Sequence, residues 1–549
     1  RKGWCFMSKW WQERVVYQIY PRSFQDTNGD GIGDIPGIIS RLDELCDLGV
    51  GILWLSPVYP SPNADYGYDI SDYCAINPEF GTMEDMERLI AEAAKRDIKI
   101  IMDLVINHTS DEHPWFVQSR DKQSPYRDYY IWRPGKNGKP PNNWMSFFGG
   151  STWEYDEKSG EYYLHLFSKK QPDLNWRNPK VMEEIKDILR FWLDKGIAGF
   201  RCDVINLLYK TSLENGKLRL AMVLPGSEHY VNQEGTHEIL RTLRREVFDH
   251  YDCFTVGETV FVTTEDAKLL CGGDRRELDM VFFFEHMETD AFAKWIRRKF
   301  DPARFARVIS RWQEALEWNA NYLENHDQPR SVSRFGDDGR YHAQSAMMLG
   351  TLLLTLRGTP FMYQGQEIGM TNFDFTCMEQ IRDVESHNVY NLLKRLHIPS
   401  SLRWKIIKPT SRDNARTPMQ WDNSPNAGFT TGTPWIGVNG NYTRINAASQ
   451  MNDPGSIRSY YKKLIALRKS NKTLIYGDFK PLEITRRLFV YKRELDGHSI
   501  TVLLNFSDKP QKADYSGRLV MSNYGRSSYG GTLEPYEAAL LENGRMVPV

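Results

Sequence analysis

A short apolar strand followed by a helix recurs along most of this chain, and this alternation constrains the fold more than any other feature. The run Ile98–Val105 is nearly all apolar, which marks a parallel strand covered on both faces. Further strands are predicted at 15–20, 52–55, 198–202, 254–256, 280–284, 322–323 and 361–363. Eight such strand-then-helix units predict an α/β fold, a (β/α)₈ barrel.

Apolar residues at helical spacing fill the gaps between these strands. The predicted helices include 36–48, 83–95, 181–195, 305–318 and 343–356, and a helix at 456–468 closes the barrel. Two stretches fall outside the alternation. Residues 108–178 are rich in Pro, Gly, Asn and Trp and are too long for a plain loop, so they predict a small domain inserted after strand 3. Short alternating strands predict a C-terminal antiparallel β-sandwich at 473–549, which leaves 8–107 and 179–472 to the barrel.

The composition excludes several classes of partner. Lys+Arg (70) and Asp+Glu (71) nearly cancel, which argues against a nucleic-acid binder or an anionic-membrane binder. The longest apolar run, Ala346–Leu356, is half the length of a membrane-spanning helix. Seven Cys in no CxxC pair indicate reduced thiols, as in a cytoplasmic protein. We therefore expect a cytoplasmic monomer that acts on a small molecule.

Polar side chains follow four of the predicted strands at the point where each ends. Barrel active sites lie at the carboxyl ends of the strands, so these side chains are expected to converge on one mouth. They are Asp103, Asn107 and His108 after strand three, Arg201 and Asp203 at strand four, Glu258 after strand five, and His326 and Asp327 after strand seven. One acid at a strand end is usually a helix cap or an ion-pair partner, but three after different strands indicate a catalytic site.

Converging carboxylates without a metal-ligand pattern suggest cleavage of a glycosidic bond by a nucleophile and a proton donor. Arg201 and Asp203 are two residues apart on a strand, so both face the same way and Arg201 can keep Asp203 ionised. Apolar surroundings after Val256 can keep the proton on Glu258. These roles favour Asp203 as the nucleophile and Glu258 as the acid/base.

Four ordered segments carry a resemblance to a known family: 103–108 (DLVINH), 199–206 (GFRCDVIN), 256–259 (VGET) and 325–330 (NHDQPR). They resemble the four motifs of the α-amylase family of glycoside hydrolases, and 171–175 (QPDLN) resembles an extra motif of its oligo-1,6-glucosidase branch. The resemblance implies a retaining mechanism on α-glucosides and no organic cofactor. Asp327 would bind sugar hydroxyls and stabilise the transition state, while His108 and His326 would grip the glucose ring.

The same resemblance implies further binding residues. Asp65 and Arg416 resemble the pair that clamps the non-reducing glucose and makes the enzyme exo-acting, although without the family an ordinary ion pair would be the default. Tyr68 resembles the aromatic platform under that sugar, where core packing is the alternative. Phe148 and Phe167 are placed at the entrance.

The segment Asp26–Asp34 begins like a Ca²⁺ loop, with alternating oxygen ligands and a glycine at the turn. Position twelve would be Gly37, which has no carboxylate, so it is no EF-hand, and an Asx-rich turn is the alternative. The resemblance favours a structural Ca²⁺, or Mg²⁺, with the ligands Asp26, Asn28, Asp30, Asp34 and the Ile32 carbonyl.

Val204 follows the nucleophile, and in relatives valine there accompanies α-1,6 cleavage. The chain is therefore expected to release glucose from isomaltose-type oligosaccharides. The alternatives are an α-1,4- or sucrose-active α-glucosidase, a dextran glucosidase and a trehalose-6-phosphate hydrolase. The last would need a cationic phosphate pocket. A non-catalytic heavy-chain-like partner protein is disfavoured because Asp203, Glu258 and Asp327 are all present.

Overall fold

The computed structural model describes residues 9–217, 224–272 and 275–544. One of the seven cysteines, Cys5, the first residue of the predicted barrel range, Ser8, and residues 545–549 of the predicted C-terminal domain lie outside the described residues. The predicted barrel is confirmed. Eight strands form one parallel sheet in the order β7-β8-β1-β2-β3-β4-β5-β6, and its two end strands, β6 and β7, lie next to each other. The strands are β1 Val16–Ile19, β2 Ile52–Leu55, β3 Lys99–Leu104, β4 Gly199–Cys202, β5 Phe254–Glu258, β6 Met280–Phe282, β7 Ala320–Asn321 and β8 Thr359–Tyr363.

Helices follow the strands and pack against the sheet. Several of them begin at clear capping signals. Thr82 and Asp85 form a capping box at the start of the helix that begins at Met83. Asn178 caps the next long helix, and Pro179 occupies its first turn. The barrel helices are Ile35–Ser40, Leu42–Leu48, Met83–Ala94, Pro179–Asp194, Glu234–Glu246, Thr264–Cys271, Pro302–Ala315, Ser331–Phe335, His342–Thr355 and Ile457–Lys469.

A small three-stranded antiparallel sheet lies between β3 and the helix Pro179–Asp194. Its strands are Trp132–Arg133, Trp153–Asp156 and Glu161–Leu164, and Glu161–Leu164 lies between the other two in the sheet. The helix Pro114–Ser119 precedes them along the chain. Its aromatic side chains pack among themselves, since Phe116 stacks on Trp132 with ring centroids 5.5 Å apart. This unit sits directly over the carboxyl end of β3.

The predicted C-terminal antiparallel β domain is confirmed, and it consists of a five-stranded and a two-stranded sheet. Its predicted bounds of 473–549 stay a prediction. The five strands are β9 Asp478–Ile484, β10 Leu488–Leu495, β11 His498–Asn505, β12 Arg518–Ser522 and β13 Ala538–Asn543, in the order β9-β10-β11-β13-β12. The smaller sheet pairs Gln511–Lys512 with Thr532–Leu533.

Three details differ from the sequence-based expectation. The predicted helix 36–48 is two helices, because Arg41 leaves helical geometry at φ −106° and ψ 2°. Strand β7 spans Ala320–Asn321 and so lies two residues before the strand predicted at 322–323. The reason is that Ala320 pairs with Thr359, the first residue of β8. The segment after β8 contains a helix pair, Val384–Arg395 and Ser400–Ile407, that the sequence analysis does not predict.

Candidate active site

The side chain of Arg201 occupies the centre of the barrel mouth and joins three carboxylates. Its Nη1 lies 2.5 Å from Asp103 Oδ1 and 2.6 Å from Asp203 Oδ1, and its Nη2 lies 2.7 Å from Glu258 Oε1. The strand register explains this, since Asp103 is the direct partner of Arg201 across β3 and β4, and Val256 is its partner on β5. All four side chains are buried. The two predicted reacting carboxylates therefore face one small space rather than separate cavities.

A second group of charges surrounds Asp327, just beyond β7. Its Oδ1 accepts hydrogen bonds from Arg416 at 2.8 Å and from Arg412 at 3.3 Å, and its Oδ2 lies 3.2 Å from His326 Nε2. Arg416 also donates to the backbone carbonyl of His326 at 3.1 Å. His326 itself contacts Gln18 of β1 at 2.8 Å. Asp327 is thus held by three cationic or ring-nitrogen partners.

Asp65 and Arg416, the two residues predicted to clamp the terminal glucose, lie in one charged group. The Asp65 carboxylate bonds to Arg412, with Nη2 and Oδ1 3.1 Å apart, whereas Arg416 bonds to Asp327. Arg412 also contacts Asp383 at 2.8 Å and stacks its guanidinium over Phe148, 5.5 Å from the ring centroid. The clamp of Asp65 and Arg416 around the terminal glucose stays a prediction, and each residue is held here by another partner, Asp65 by Arg412 and Arg416 by Asp327. Both arginines lie in the same group because Arg412 bridges Asp65 and Asp327.

Tyr68 and His108 lie between these two charged groups. The Tyr68 ring stacks on His326 with centroids 5.2 Å apart and an interplanar angle of 5°, and its hydroxyl donates to Asp103 at 3.3 Å. His108 Nε2 lies 3.1 Å from the Tyr68 carbonyl. Gln171 donates to the same carbonyl at 3.0 Å and lies 3.2 Å from His108 Nε2. The predicted sugar-binding side chains are thus part of one buried, hydrogen-bonded group.

The two phenylalanines predicted at the entrance lie on the inserted domain. Phe167 packs against His108, with ring centroids 5.3 Å apart, and against Phe148 at 5.6 Å. A third ring, Phe147, stacks on Phe167 at 4.9 Å. Both predicted rings are half-buried, so they border the pocket on the side of the inserted domain.

Burial changes the acidity of the two reacting carboxylates. It raises the pKa of Asp203 to about 6, even though Arg201 favours the ionised form. It raises the pKa of Glu258 to about 7, with Arg201 opposing the change and the charge of Asp203 adding to it. For Asp327 the net direction is opposite: burial disfavours its charge, but His326, Arg412 and Arg416 outweigh burial and hold its pKa well below the ordinary value. Arg201 therefore keeps Asp203 ionised less completely than expected.

Val204 has an unusual backbone conformation between the two reacting groups. Its φ of 35° and ψ of 42° lie in the left-handed region, which a β-branched residue rarely adopts and which costs about 1–3 kcal/mol. Its N–H donates to Glu258 Oε2 at 3.3 Å. The strain is thus located at a residue that contacts the predicted proton donor.

Comparison with known proteins agrees with this geometry. Residues 18–477 match the alpha amylase catalytic domain. The chain belongs to the alpha-amylase family. An oligo-1,6-glucosidase of Parageobacillus thermoglucosidasius is 54% identical, over 94% of this chain and 95% of that protein. The trehalulose synthase MutB of Pseudomonas mesoacidophila has a TM-score of 0.93 at 41% identity, over 97% of this chain and 99% of that one. The trehalose-6-phosphate hydrolase of Bacillus licheniformis has a TM-score of 0.91 at 44% identity, over 97% and 100%.

Two groups in this alpha-amylase family site were not predicted as site residues. Asp383 caps the helix Val384–Arg395 and Arg412 follows the helix Ser400–Ile407, in the segment after β8 whose helices the sequence pattern did not predict. One signal was present: Arg412 lies four residues before Arg416, so one helical turn carries both toward the same side. Gln171, which belongs to the QPDLN segment, also contacts Tyr68 and His108 in this site.

The predicted metal loop of this alpha-amylase family member carries only oxygen donors, which suits a hard cation such as Ca²⁺. Its side chains also bond to the loop's own backbone: Asp26 accepts from Gly31 at 2.8 Å, and Asp34 accepts from Thr27 at 2.9 Å. In residues 9–217, 224–272 and 275–544, no three His, Cys, Asp or Glu side chains are grouped to hold a metal ion. The metal site remains a prediction that rests on the donor chemistry.

Within the described ranges, no helix has both the length and the apolar character to cross a membrane.

Proposed function

We propose that this enzyme is a retaining, exo-acting α-glucosidase that hydrolyses α-1,6-glucosidic bonds of isomaltose-type oligosaccharides and releases glucose. The observation that carries the proposal is the single guanidinium of Arg201 bonded to both Asp203 and Glu258, since retaining glycosidases need their two carboxyl groups close together. The 54% identity to an oligo-1,6-glucosidase supports the α-1,6 linkage.

The reaction proceeds in two displacements. Asp203 attacks C1 of the non-reducing glucose while Glu258 gives its proton to the leaving glycosidic oxygen, so the C1–O bond breaks as the ester bond forms. Glu258, now ionised, then removes a proton from water, which attacks C1 and releases Asp203 as a carboxylate. Glucose leaves as the α-anomer, and both side chains return to their starting protonation states.

The remaining residues bind and orient the sugar. Asp327, which stays ionised, is positioned to bind sugar hydroxyls and to stabilise positive charge that develops at C1. Arg412 and Asp65 close the far side of the pocket, which limits cleavage to a terminal glucose. Tyr68, His108 and His326 complete the wall around that ring.

A substrate panel tests the linkage. We expect the highest kcat/KM with isomaltose, lower values with maltose and sucrose, and the lowest with trehalose 6-phosphate. Proton NMR of the first product should show α-glucose. A preference for trehalose 6-phosphate or maltose would replace the α-1,6 assignment with one of the alternatives, while β-glucose as first product would exclude retention altogether.

The proposal also includes a structural Ca²⁺, or Mg²⁺, at Asp26, Asn28, Asp30, Ile32 and Asp34. The ion would hold the loop after β1 and take no part in the chemistry. Chelation followed by thermal unfolding checks this, since a bound ion stabilises the folded state by mass action. We expect a lower Tm after chelation and restoration by added Ca²⁺; an unchanged Tm and no metal by elemental analysis would remove the ion from the proposal.

Cytoplasmic location and a monomeric state complete the proposal. Among the described residues, six cysteines carry free thiols, which suits a reducing compartment. Light scattering on the purified chain should give a mass near 64.0 kDa.

A further inference from the structure

A second cavity lies at the same end of the barrel as the catalytic carboxylates, outside the glucose pocket. Its volume is about 470 Å³, within the usual range for ligand pockets. The loop after β5 and the loop after β6 supply most of its wall. The lining residues are Phe261, Val262, Thr263, Thr264, Phe284, Glu285, Glu288 and Arg311. The proposed mechanism uses none of them.

Phe261 is held at the cavity in a conformation that a bulky residue rarely adopts. Its φ is 53° and its side chain is 48% exposed. The preceding residue is fixed from both sides by Asn206, which donates to the Val260 carbonyl at 2.7 Å and accepts from the Val260 N–H at 3.1 Å. The fold thus maintains a strained backbone that leaves an aromatic ring half exposed beside a cavity, which favours a binding role for that ring.

A row of rings connects the glucose pocket to this cavity. It begins at His108, whose ring is 5.3 Å from Phe167. Phe167 stacks on Phe147 at 4.9 Å with an angle of 12°, and Phe147 stacks on Phe261 at 6.0 Å with an angle of 20°. Because Phe147 and Phe167 cover each other's faces, the row forms an apolar wall from the glucose pocket to the cavity, and Phe261 at its end is the ring that is 48% exposed to a ligand.

The cavity also offers hydrogen-bonding groups suited to hydroxyls. Glu285 pairs with Arg311 and accepts a hydrogen bond from Trp312 Nε1 at 2.9 Å, so the ion pair is fixed in place. Glu288 is exposed, and in the described part of the chain no salt bridge uses its carboxylate. Carboxylates accept and guanidinium groups donate, and sugar hydroxyls do both.

We propose that this cavity binds the glucose units on the reducing side of α-1,6-linked oligosaccharides longer than two units, with the outermost units stacked on Phe261 and hydrogen-bonded to Glu288. This inference rests on the proposed function and extends it from the bond that is cleaved to the length of chain that is preferred. An isomaltose molecule fills the glucose pocket and the adjoining position, so the cavity serves only longer substrates.

The test compares kcat/KM for isomaltotetraose and isomaltose in the full chain. Phe261→Ala should lower the tetraose-to-disaccharide ratio about fivefold, the size expected for one lost ring contact of about 1 kcal/mol. Glu288→Gln, a change on the surface that leaves the fold intact, should lower the ratio about threefold. Phe292→Ala removes another phenylalanine that is 58% exposed but lies outside the cavity, and it serves as the matched control with an unchanged ratio.

The outcomes separate the two proposals. A ratio that falls in both cavity variants but not in Phe292→Ala supports the inference. Normal isomaltose hydrolysis with an unchanged ratio in both cavity variants overturns the inference and leaves the proposed function intact. Absence of isomaltose hydrolysis by the unaltered enzyme overturns the proposed function, and the inference with it.

Discussion

Two buried arginines organise the acidic side chains of this site, and the carboxylates around them differ in acidity. Arg201 is shared by Asp103, Asp203 and Glu258, so one cation faces three acids. Asp327 differs, because this one acid contacts Arg412, Arg416 and His326, although Arg412 also binds Asp65 and Asp383. Asp203 and Glu258 thus share one cation, whereas Asp327 has two arginines and a histidine ring beside it.

The pKa values follow this difference. Burial raises the pKa of Asp203 to about 6 and that of Glu258 to about 7, because Arg201 only partly offsets the loss of solvent. Burial also acts on Asp327 and Asp383, but their cationic neighbours outweigh it and lower both pKa values. The two groups proposed to react with the sugar thus lie around Arg201, and those proposed to hold the sugar lie around Arg412.

The largest effect is expected when the nucleophile at Arg201 is removed. Asp203→Asn should lower kcat for isomaltose by about 10⁴-fold or more, because an amide cannot form the glycosyl ester. The folded state should not suffer. A carboxyl group whose pKa is raised to about 6 in the folded state opposes folding at neutral pH, so its neutral replacement should keep or raise the Tm. Turnover within tenfold of the unaltered enzyme at an equal Tm would contradict the assigned role.

The next largest effect is expected at the second arginine. Arg412→Met leaves Asp65, Asp327 and Asp383 without their shared partner, which should cost about 3–5 kcal/mol of folding stability and lower the Tm. Because Asp327 and Asp65 then lose a group that positions them, kcat/KM for isomaltose should fall by about 10²-fold. Arg412→Lys is the matched control: it keeps the charge but not the forked geometry, and should recover part of the loss. Equal kinetics in Met and Lys variants would show that charge at this position is irrelevant.

The same comparison explains what the sequence could predict. Asp103, Arg201 and Glu258 end apolar strands, and parallel strands bring their carboxyl ends together, so strand pattern alone indicated that these side chains meet. Arg412 reaches the site from an irregular segment whose path depends on long-range contacts, such as those of Asp383 and Phe148. No local periodicity encodes those contacts, so the family resemblance indicated Arg416 but not which arginine contacts Asp65.

A moderate effect is expected from pH, and its sign follows from the two raised pKa values. Asp203 must be ionised to attack, so activity rises as pH increases through about 6. Glu258 must be protonated to act as acid, so activity falls as pH increases through about 7. The profile of kcat/KM for isomaltose should therefore be a narrow bell centred between these values, falling about tenfold per pH unit on each side.

Asp327 adds no limb to this profile, because its pKa lies well below the range in which activity is measured. Glu258→Gln is the informative variant: its residual activity should lose the alkaline limb and keep the acidic one. An alkaline limb that persists in this variant would assign that limb to another group.

The smallest effect is expected at Val204, which lies between the two reacting carboxylates. Val204→Thr replaces one methyl group by a hydroxyl on a side chain packed with Leu207 and Tyr230, while the backbone N–H bond to Glu258 can persist. A change of this size in a pocket is worth at most about 1–3 kcal/mol. We expect the isomaltose-to-maltose ratio of kcat/KM to fall by about three- to tenfold.

The matched control for this prediction is Val231→Thr, the same replacement in the same apolar cluster but away from the reacting groups. It should leave the ratio within about twofold, since a solvated or partnered hydroxyl away from the substrate changes both reactions equally. If the isomaltose-to-maltose ratio changes only in Val204→Thr, linkage preference depends on the side chain beside the carboxylates around Arg201, next to the bond that breaks. Equal ratios in both variants would instead move that preference to the side chains that contact the leaving sugar.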